Sequence, residues 1–241
     1  MLAAVADGLP TRTRVCELDI TDEAALERAA VDVGAHLGTL RRGGQRRRRG
    51  GRPFVTSDPA LWRRVIDVNL TGSAATARAF LPDLMATQGY YLQVASLASI
   101  GAAPMMSAYC ASKAGVEAFA HSLRAEVAHH GVAVGIGYVN WTDTDMIRDA
   151  DRHPVLRELR GHMPPPARRL YPADRVAARL GAGVEHRSTA VYVPCWLRLA
   201  QAARAALPPV VLRVSRRELA RLEAEDPCGT PGSSAPAAPP T

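Results

Sequence analysis

The stretch Ser96 to Lys113, SLASIGAAPMMSAYCASK, decides how this chain folds. It follows Tyr90 to Ala95 (YYLQVA), a continuous apolar run that reads as a buried strand. It opens onto a helical periodicity from Tyr109 to His129, which Gly131 stops at the usual place for a helix end. Tyr109 and Lys113 are four apart, hence on one face of that helix, so the ammonium can lie close to the phenol. A nearby positive charge favours phenolate and lowers a pKa that starts near about 10. Such a tyrosine can exchange a proton near neutral pH. Ser96 sits at the C-terminal end of the strand, the edge at which open parallel sheets bind ligands, and its hydroxyl can hold a carbonyl or alcohol oxygen beside the phenol.

Taken alone, a Tyr-x-x-x-Lys pair occurs by accident on many exposed helices, and a serine after a strand is ordinary loop chemistry. Here, however, Lys113 is the only lysine among 30 basic residues, and it falls four places after one of six tyrosines, a coincidence of about 6 in 241. The strand-loop-helix context makes the functional reading the stronger one.

Outward from this stretch the elements alternate. Arg14 to Leu18 (RVCEL) reads as a strand, and Thr21 and Asp22 can cap a helix that runs to about Leu37. Helices are expected at Pro59 to Val65 and Val68 to Thr87. Downstream, Val132 to Val139 (VAVGIGYV) is a second continuous apolar strand, followed by helical stretches near Asp143 to Asp151 and Pro172 to Leu180 and a short strand at Ala190 to Val193. Strand and helix in alternation predict an α/β fold, a doubly wound parallel sheet with helices on both faces. From Trp196 the character changes: WLRLAQAARAAL reads as an apolar helix broken by Pro208 and Pro209, with an amphipathic helix from Val210 to Glu225. This extension either packs on the domain or lies on a membrane surface or a partner subunit. Asp226 to Thr241, rich in Pro, Gly, Ser and Ala, is expected to be disordered.

Composition narrows the class. With 241 residues, 47% of them hydrophobic and 22% charged, the chain can bury a substantial core, which excludes wholesale disorder. The formal charge of +7 is one local feature, since Arg41 to Arg52 holds seven arginines and no acid. A nucleic-acid binder would rest on that patch alone, so none is expected. Cys16, Cys110, Cys195 and Cys228 form no CxxC pair, which argues against a zinc site or a disulfide framework. No apolar run reaches the roughly 18 residues of a spanning helix, and the N-terminus lacks a secretion signal, so a cytoplasmic protein is expected.

Ser96, the thirteen-residue step to Tyr109, and YCASKAG resemble the short-chain dehydrogenase/reductase family. Further matches follow in the family's order: Asp19 in LDITD, Asn69 in DVNLTG, and TDTDM at Thr142 to Met146, over about Val15 to Val193. The resemblance implies a Rossmann-type fold and hydride transfer between NAD or NADP and an alcohol or carbonyl substrate. It implies that Tyr109 is the general acid or base, and that Lys113 depresses its pKa and binds the nicotinamide ribose. Ser96 would orient the substrate oxygen, and Asn69 would hold a water that relays protons to Lys113. Asp19 with Ile20 would contact the adenine end, and Thr144 would approach the carboxamide. For Asp19 a helix N-cap, and for Asn69 a helix kink or cap, are structural readings compatible with these roles. Family members are usually homodimers or homotetramers, here through Val68 to Thr87 and Tyr109 to His129.

Two departures qualify that picture. The chain begins near the family's third strand, so the first two strands and the glycine-rich turn that seats the pyrophosphate are expected to be missing, and NAD cannot be told from NADP. Arg41 to Arg52 stands where the family has its fourth strand, yet six arginines in nine positions cannot be buried in a parallel sheet. A local reading-frame shift is the hypothesis for the segment; a phosphate-binding arginine patch is the functional alternative. A lesser departure is Val139 and Asn140, where the family usually has Pro-Gly. The expected organisation is an incomplete Rossmann-type domain over 1–195, a helical extension over 196–225 with possible peripheral membrane contact, and a tail over 226–241. Met105, Met106, Trp141, Met146 and Ile147 suggest an apolar substrate cleft. The alternative is a catalytically impaired remnant acting at most as a binding or interaction module.

Overall fold

The computed structural model describes residues 14–37, 42–43, 54–144, 147, 160–161 and 163–225. Its centre is a four-stranded sheet in the order β1-β2-β3-β6, parallel throughout, built from β1 (Arg42–Gly43), β2 (Tyr90–Val94), β3 (Ala133–Val139) and β6 (Ala190–Val193). The register runs from Tyr90 beside Ala133 to Val94 beside Gly137, and from Ile136 beside Ala190 to Val139 beside Val193. A separate pair, β4 (Thr142–Asp143) and β5 (Tyr171–Pro172), is also parallel.

The helices are α1 (Glu23–Leu37), α2 (Pro59–Ile66), α3 (Gly72–Ala86), the short α4 (Leu97–Ile100), α5 (Ser107–Val127), α6 (Pro165–Arg168), α7 (Ala173–Glu185), α8 (Leu197–Ala202) and α9 (Leu207–Glu225). Side chains alternate between the two faces of β3 and so divide the core. Val134, Ile136 and Tyr138 join Ala77 and Leu84 of α3 and Ala120, Leu123 and Val127 of α5 in the main cluster. On the other face Leu180 of α7 comes up against Gly137, while Val176 packs with Val191 and Val193. Both faces are therefore covered, which is why β2 and β3 read as continuous apolar runs. Each of these valines, leucines and isoleucines contributes about 1.5–3 kcal/mol by leaving water. The fold is α/β with a doubly wound parallel sheet.

Helix α5 ends as its sequence requires. A single 3-10 turn over Ala128–His130 leads to Gly131 at φ 73°, a left-handed conformation that glycine adopts without steric cost.

Four expectations are corrected. Arg14 to Leu18 is irregular rather than a strand: the Arg14 guanidinium pairs with Asp32 of α1 at 2.7 and 2.9 Å, which lays the segment along that helix. Arg42 and Gly43 of the arginine-rich segment do enter the sheet, beside Tyr90 and Tyr91. A two-residue strand at the edge needs only backbone hydrogen bonds, so the charge of the segment does not forbid it. The rest of that segment lies outside the described residues, as does the expected tail 226–241. Thr142–Asp143 is strand β4 rather than the start of a helix, and from there to Asp151 only Thr144 and Ile147 are otherwise described. Finally, the C-terminal helices part at Ala203, and Pro208 and Pro209 lie in the first turn of α9, where the missing N–H groups would have no helical partner anyway.

Leu197 is fully buried in the main cluster, with Trp196, Ala200 and Leu207 packed against it. Leu199, Val210, Leu212 and Val214 are exposed. No helix among the described residues is long and apolar enough to cross a membrane.

Candidate active site

Ser96 follows β2 at the C-terminal edge of the sheet and caps α4: its hydroxyl oxygen accepts the Ala98 amide at 3.2 Å. That contact uses the oxygen as an acceptor and leaves the hydroxyl proton to donate to an oxygen brought beside it. The Ser99 hydroxyl donates to the Ser96 carbonyl at 2.8 Å and fixes the turn. The chain then swings into α5 through Met105, whose φ of 61° costs an L side chain about 1 kcal/mol. The start of α5 is tied to α2 by the Trp62 indole, which donates to the Ser107 hydroxyl at 3.2 Å.

On α5, Tyr109 and Lys113 are both buried, and the Lys113 Nζ stands over the Tyr109 ring, 5.2 Å from its centroid. That is within the reach at which a cation is attracted to an aromatic face. Tyr109 packs with Val65, Met106 and Ala108, and Ala98 of the Ser96 turn leans on the same cluster. The strand-loop-helix unit thus brings Ser96, Tyr109 and Lys113 to one end of the sheet.

Asn69 lies in a widened, π-helical turn, Asp67–Thr71, between α2 and α3. Its side-chain amide donates to the Ser112 hydroxyl at 3.0 Å, and that hydroxyl donates to the Tyr109 carbonyl at 2.8 Å. A close approach makes this possible: a Cβ at Gly115 would stand 2.9 Å from the Leu70 side chain, so only glycine lets the turn settle against α5 without displacing Leu70. Ser112 was not among the residues the sequence singled out. Its signal in the sequence is a hydroxyl three places after Tyr109 and one before Lys113 on the same helix, and the structure buries it completely.

Asp19 and Ile20 precede α1 and touch α2 and the start of α3. The Asp19 carboxylate accepts from Arg64 at 2.6 Å and from the Thr21 amide and hydroxyl at 3.0 and 2.8 Å. Arg64 first, and then Thr21, hold that carboxyl well below the usual carboxylate range. The helix cap of α1 is Asp22, which accepts the Ala25 amide at 2.9 Å, so Asp19 is not the cap. Ile20 packs against Gly72 at the start of α3. Thr144 follows β4 and donates to the Thr142 carbonyl at 3.3 Å.

The loop carrying Thr144 leaves the sheet at Asn140, which is buried. Its side-chain amide donates to the carbonyls of Ala167 and Pro166 at 3.0 and 3.4 Å, and its backbone N–H donates to Val193. The residue that departs from the family's Pro-Gly is therefore a staple for this loop. Of the apolar residues expected at a substrate cleft, Met106 and Ile147 are buried, Trp141 is half-buried against Arg160, and Met146 lies outside the described residues.

The donor set of the Tyr109 phenol, the Lys113 ammonium and the Ser96 hydroxyl fits the nicotinamide and ribose end of a dinucleotide. Among the described residues no glycine-rich turn offers a seat for the pyrophosphate, and Asp19, held by Arg64 and Thr21, keeps its side chain half-exposed.

Residues 2–154 match the family model described as short chain dehydrogenase, beginning ahead of Val15 and ending before Val193. Retinol dehydrogenase 5 of Homo sapiens is 30% identical over 167 residues, 67% of this chain and 52% of that protein. Short chain dehydrogenase pigC of Monascus ruber is 32% identical over 154 residues, 62% of this chain and 50% of that protein. A protein of Xanthobacter autotrophicus named Inactive 2-(S)-hydroxypropyl-CoM dehydrogenase 2 is 30% identical over 151 residues, 58% of this chain and 65% of its own length. The chain spans about half the length of the first two relatives. With the match covering well over half of its residues, the chain belongs to the short chain dehydrogenase family.

Proposed function

We propose that the protein is an oxidoreductase that interconverts an alcohol and its carbonyl compound with NAD or NADP. The observation that carries the reading is the buried Lys113 ammonium 5.2 Å from the centre of the Tyr109 ring, on the helix that follows the Ser96 turn. In the reducing direction the Tyr109 hydroxyl gives its proton to the substrate oxygen, and in the oxidising direction the phenolate takes it back. Lys113 stabilises that phenolate by its charge, and Ser96 donates a hydrogen bond to the same oxygen. Asn69, anchored through Ser112, holds the proton path behind Lys113. Thr144 is the proposed contact to the carboxamide, and Asp19 with Ile20 the adenine-side wall. A bound dinucleotide supplies or receives the hydride. Met106 beside Tyr109, with Met105, Trp141 and Ile147, favours an apolar substrate. The faces of α3 and α5 are the proposed contact of a homodimer or homotetramer.

The test is direct. NADH and NADPH are titrated into the full chain by fluorescence, and turnover is followed with benzaldehyde, cyclohexanone and decanal against NADH or NADPH and with retinol against NAD+ or NADP+. Saturable binding and turnover of at least one probe are expected.

A second reading has one specific support, the relative whose name calls it inactive. On that reading the chain is a catalytically impaired member acting as a binding module, and dinucleotide titration without saturation would favour it.

A further inference from the structure

We propose that Arg204 is a positioning residue of this site, a clamp that holds the Ser96 turn and the Tyr109–Lys113 helix at a fixed distance. The proposal rests on the reading of the site given above. Tyr109, Lys113 and Glu117 follow one another at intervals of four along α5 and form one stripe. Glu117 is 3% exposed, a depth at which a carboxylate is stable only when it is paired and hydrogen-bonded. Its Oε1 accepts from the Tyr138 hydroxyl at 2.9 Å, from Gln201 Nε2 at 2.8 Å and from Arg204 Nη1 at 2.9 Å. Its Oε2 has no hydrogen-bond partner among the described residues. Two of the three donors therefore come from the segment beyond the last strand of the sheet.

The second arm of Arg204 makes the arrangement a clamp. Its Nη2 donates to the Ser99 carbonyl at 2.9 Å, and Ser99 is the residue whose hydroxyl holds the Ser96 carbonyl. One planar guanidinium spans the helix that carries Tyr109 and Lys113 and the turn that carries Ser96. Because the fork of the guanidinium is rigid, it sets the separation of its two acceptors, which a flexible ammonium cannot do. The break between α8 and α9 at Ala203 is what brings Arg204, in the 3-10 turn Arg204–Ala206, onto both acceptors. The C-terminal helices are in this sense part of the site's scaffold.

The experiment compares the full chain with Arg204→Ala, Arg204→Gln and Arg204→Lys, by turnover with NADH or NADPH and benzaldehyde, cyclohexanone or decanal, and by hydrogen exchange of backbone amides. Arg204→Ala and Arg204→Gln are expected to lower kcat by about tenfold or more with KM nearly unchanged, since misplacement by about 1 Å costs up to about a hundredfold. Arg204→Lys, which keeps the charge on Glu117 but not both bonds, is expected to recover part of the loss. The amides of Ser99, Gly101 and the first turns of α5 are expected to exchange faster, while those of β3 and β6 keep their protection. If Arg204→Ala fails to fold, the Gln and Lys variants carry the same readings. Unchanged exchange around Ser99, equal acceleration everywhere, or an effect on KM alone overturns the proposal. If the unmodified chain turns over none of the probes, the exchange data still decide the clamp, and only the functional reading falls.

Discussion

The side-chain amide of Asn69 donates to the hydroxyl of Ser112, 3.0 Å away, and so bolts a widened helical turn to α5 one residue before Lys113. A π-helical turn is uncommon and tends to occur where a side chain must be redirected. Here it aims Asn69 inward at a partner 43 residues further along the chain.

Ser112→Ala removes that bolt and leaves the buried Asn69 amide short of an acceptor. A loss of about 1–3 kcal/mol is expected, because an unsatisfied buried donor carries its desolvation cost. Chemical denaturation against the unmodified chain measures it; a change within error would mean that Asn69 finds another partner.

Tyr109→Phe deletes the proposed proton donor and keeps the ring beside Lys113. Turnover is expected to fall by about a thousandfold, within the range that general acid catalysis supplies, with the circular dichroism spectrum retained. Residual activity close to that of the parent would remove the phenol from the reaction.

Gly115→Val sets a branched side chain against Leu70. The expected cost is about 1–3 kcal/mol from overpacking, with turnover reduced as the Asn69 turn is pushed away from α5. Thermal melting alongside the kinetics separates the two effects.

Acid should act partly through Asp19. Its carboxyl is held below its ordinary value of 3.8, so the folded state binds that proton less readily than the unfolded chain does. The resulting stability is fully present above that value and is lost as pH falls below it toward the folded-state value. The difference in Tm between the parent and Asp19→Asn is therefore expected to be constant at neutral pH and to shrink below about pH 4.

Alkali should act through two buried phenols. Burial pushes Tyr90 up to about 12, and burial with the neighbouring Glu117 charge pushes Tyr138 higher still, from an ordinary value of 10.0. Their contribution is complete below pH 10 and declines above it, for Tyr90 through about 12. A spectrophotometric titration is expected to show two tyrosines that ionise only at the top of the range or on unfolding. Ordinary titration of all six would contradict their burial.

What the sequence made legible followed from local rules. Strands β2 and β3 announced themselves as apolar runs because both faces of the sheet are covered, β6 only as a short strand, and α5 because its buried positions recur at helical spacing. Ser96, Tyr109 and Lys113 were visible because the unit that joins them spans only 18 residues. Local rules failed where a distant partner decided the outcome. Arg14 to Leu18 has the alternation of a strand, but Asp32 captures its arginine. Pro208 and Pro209 were read as breakers when they start a helix, since the same missing N–H serves either end. Glu117 and Arg204, 87 residues apart, share no local pattern at all.

The Asn140 staple has an evolutionary corollary. Beyond Asn140 the chain runs through β4, and it returns beside β4 at Tyr171; the two points are joined by the Tyr171 amide bonding to the Trp141 carbonyl and by the pairing of β4 with β5. An excursion whose two ends are pinned side by side can lengthen, shorten or be exchanged at small entropic cost and without disturbing the strands that carry the chemistry. Changes of length or sequence between these ends are therefore expected to leave the parallel sheet and α5 in place.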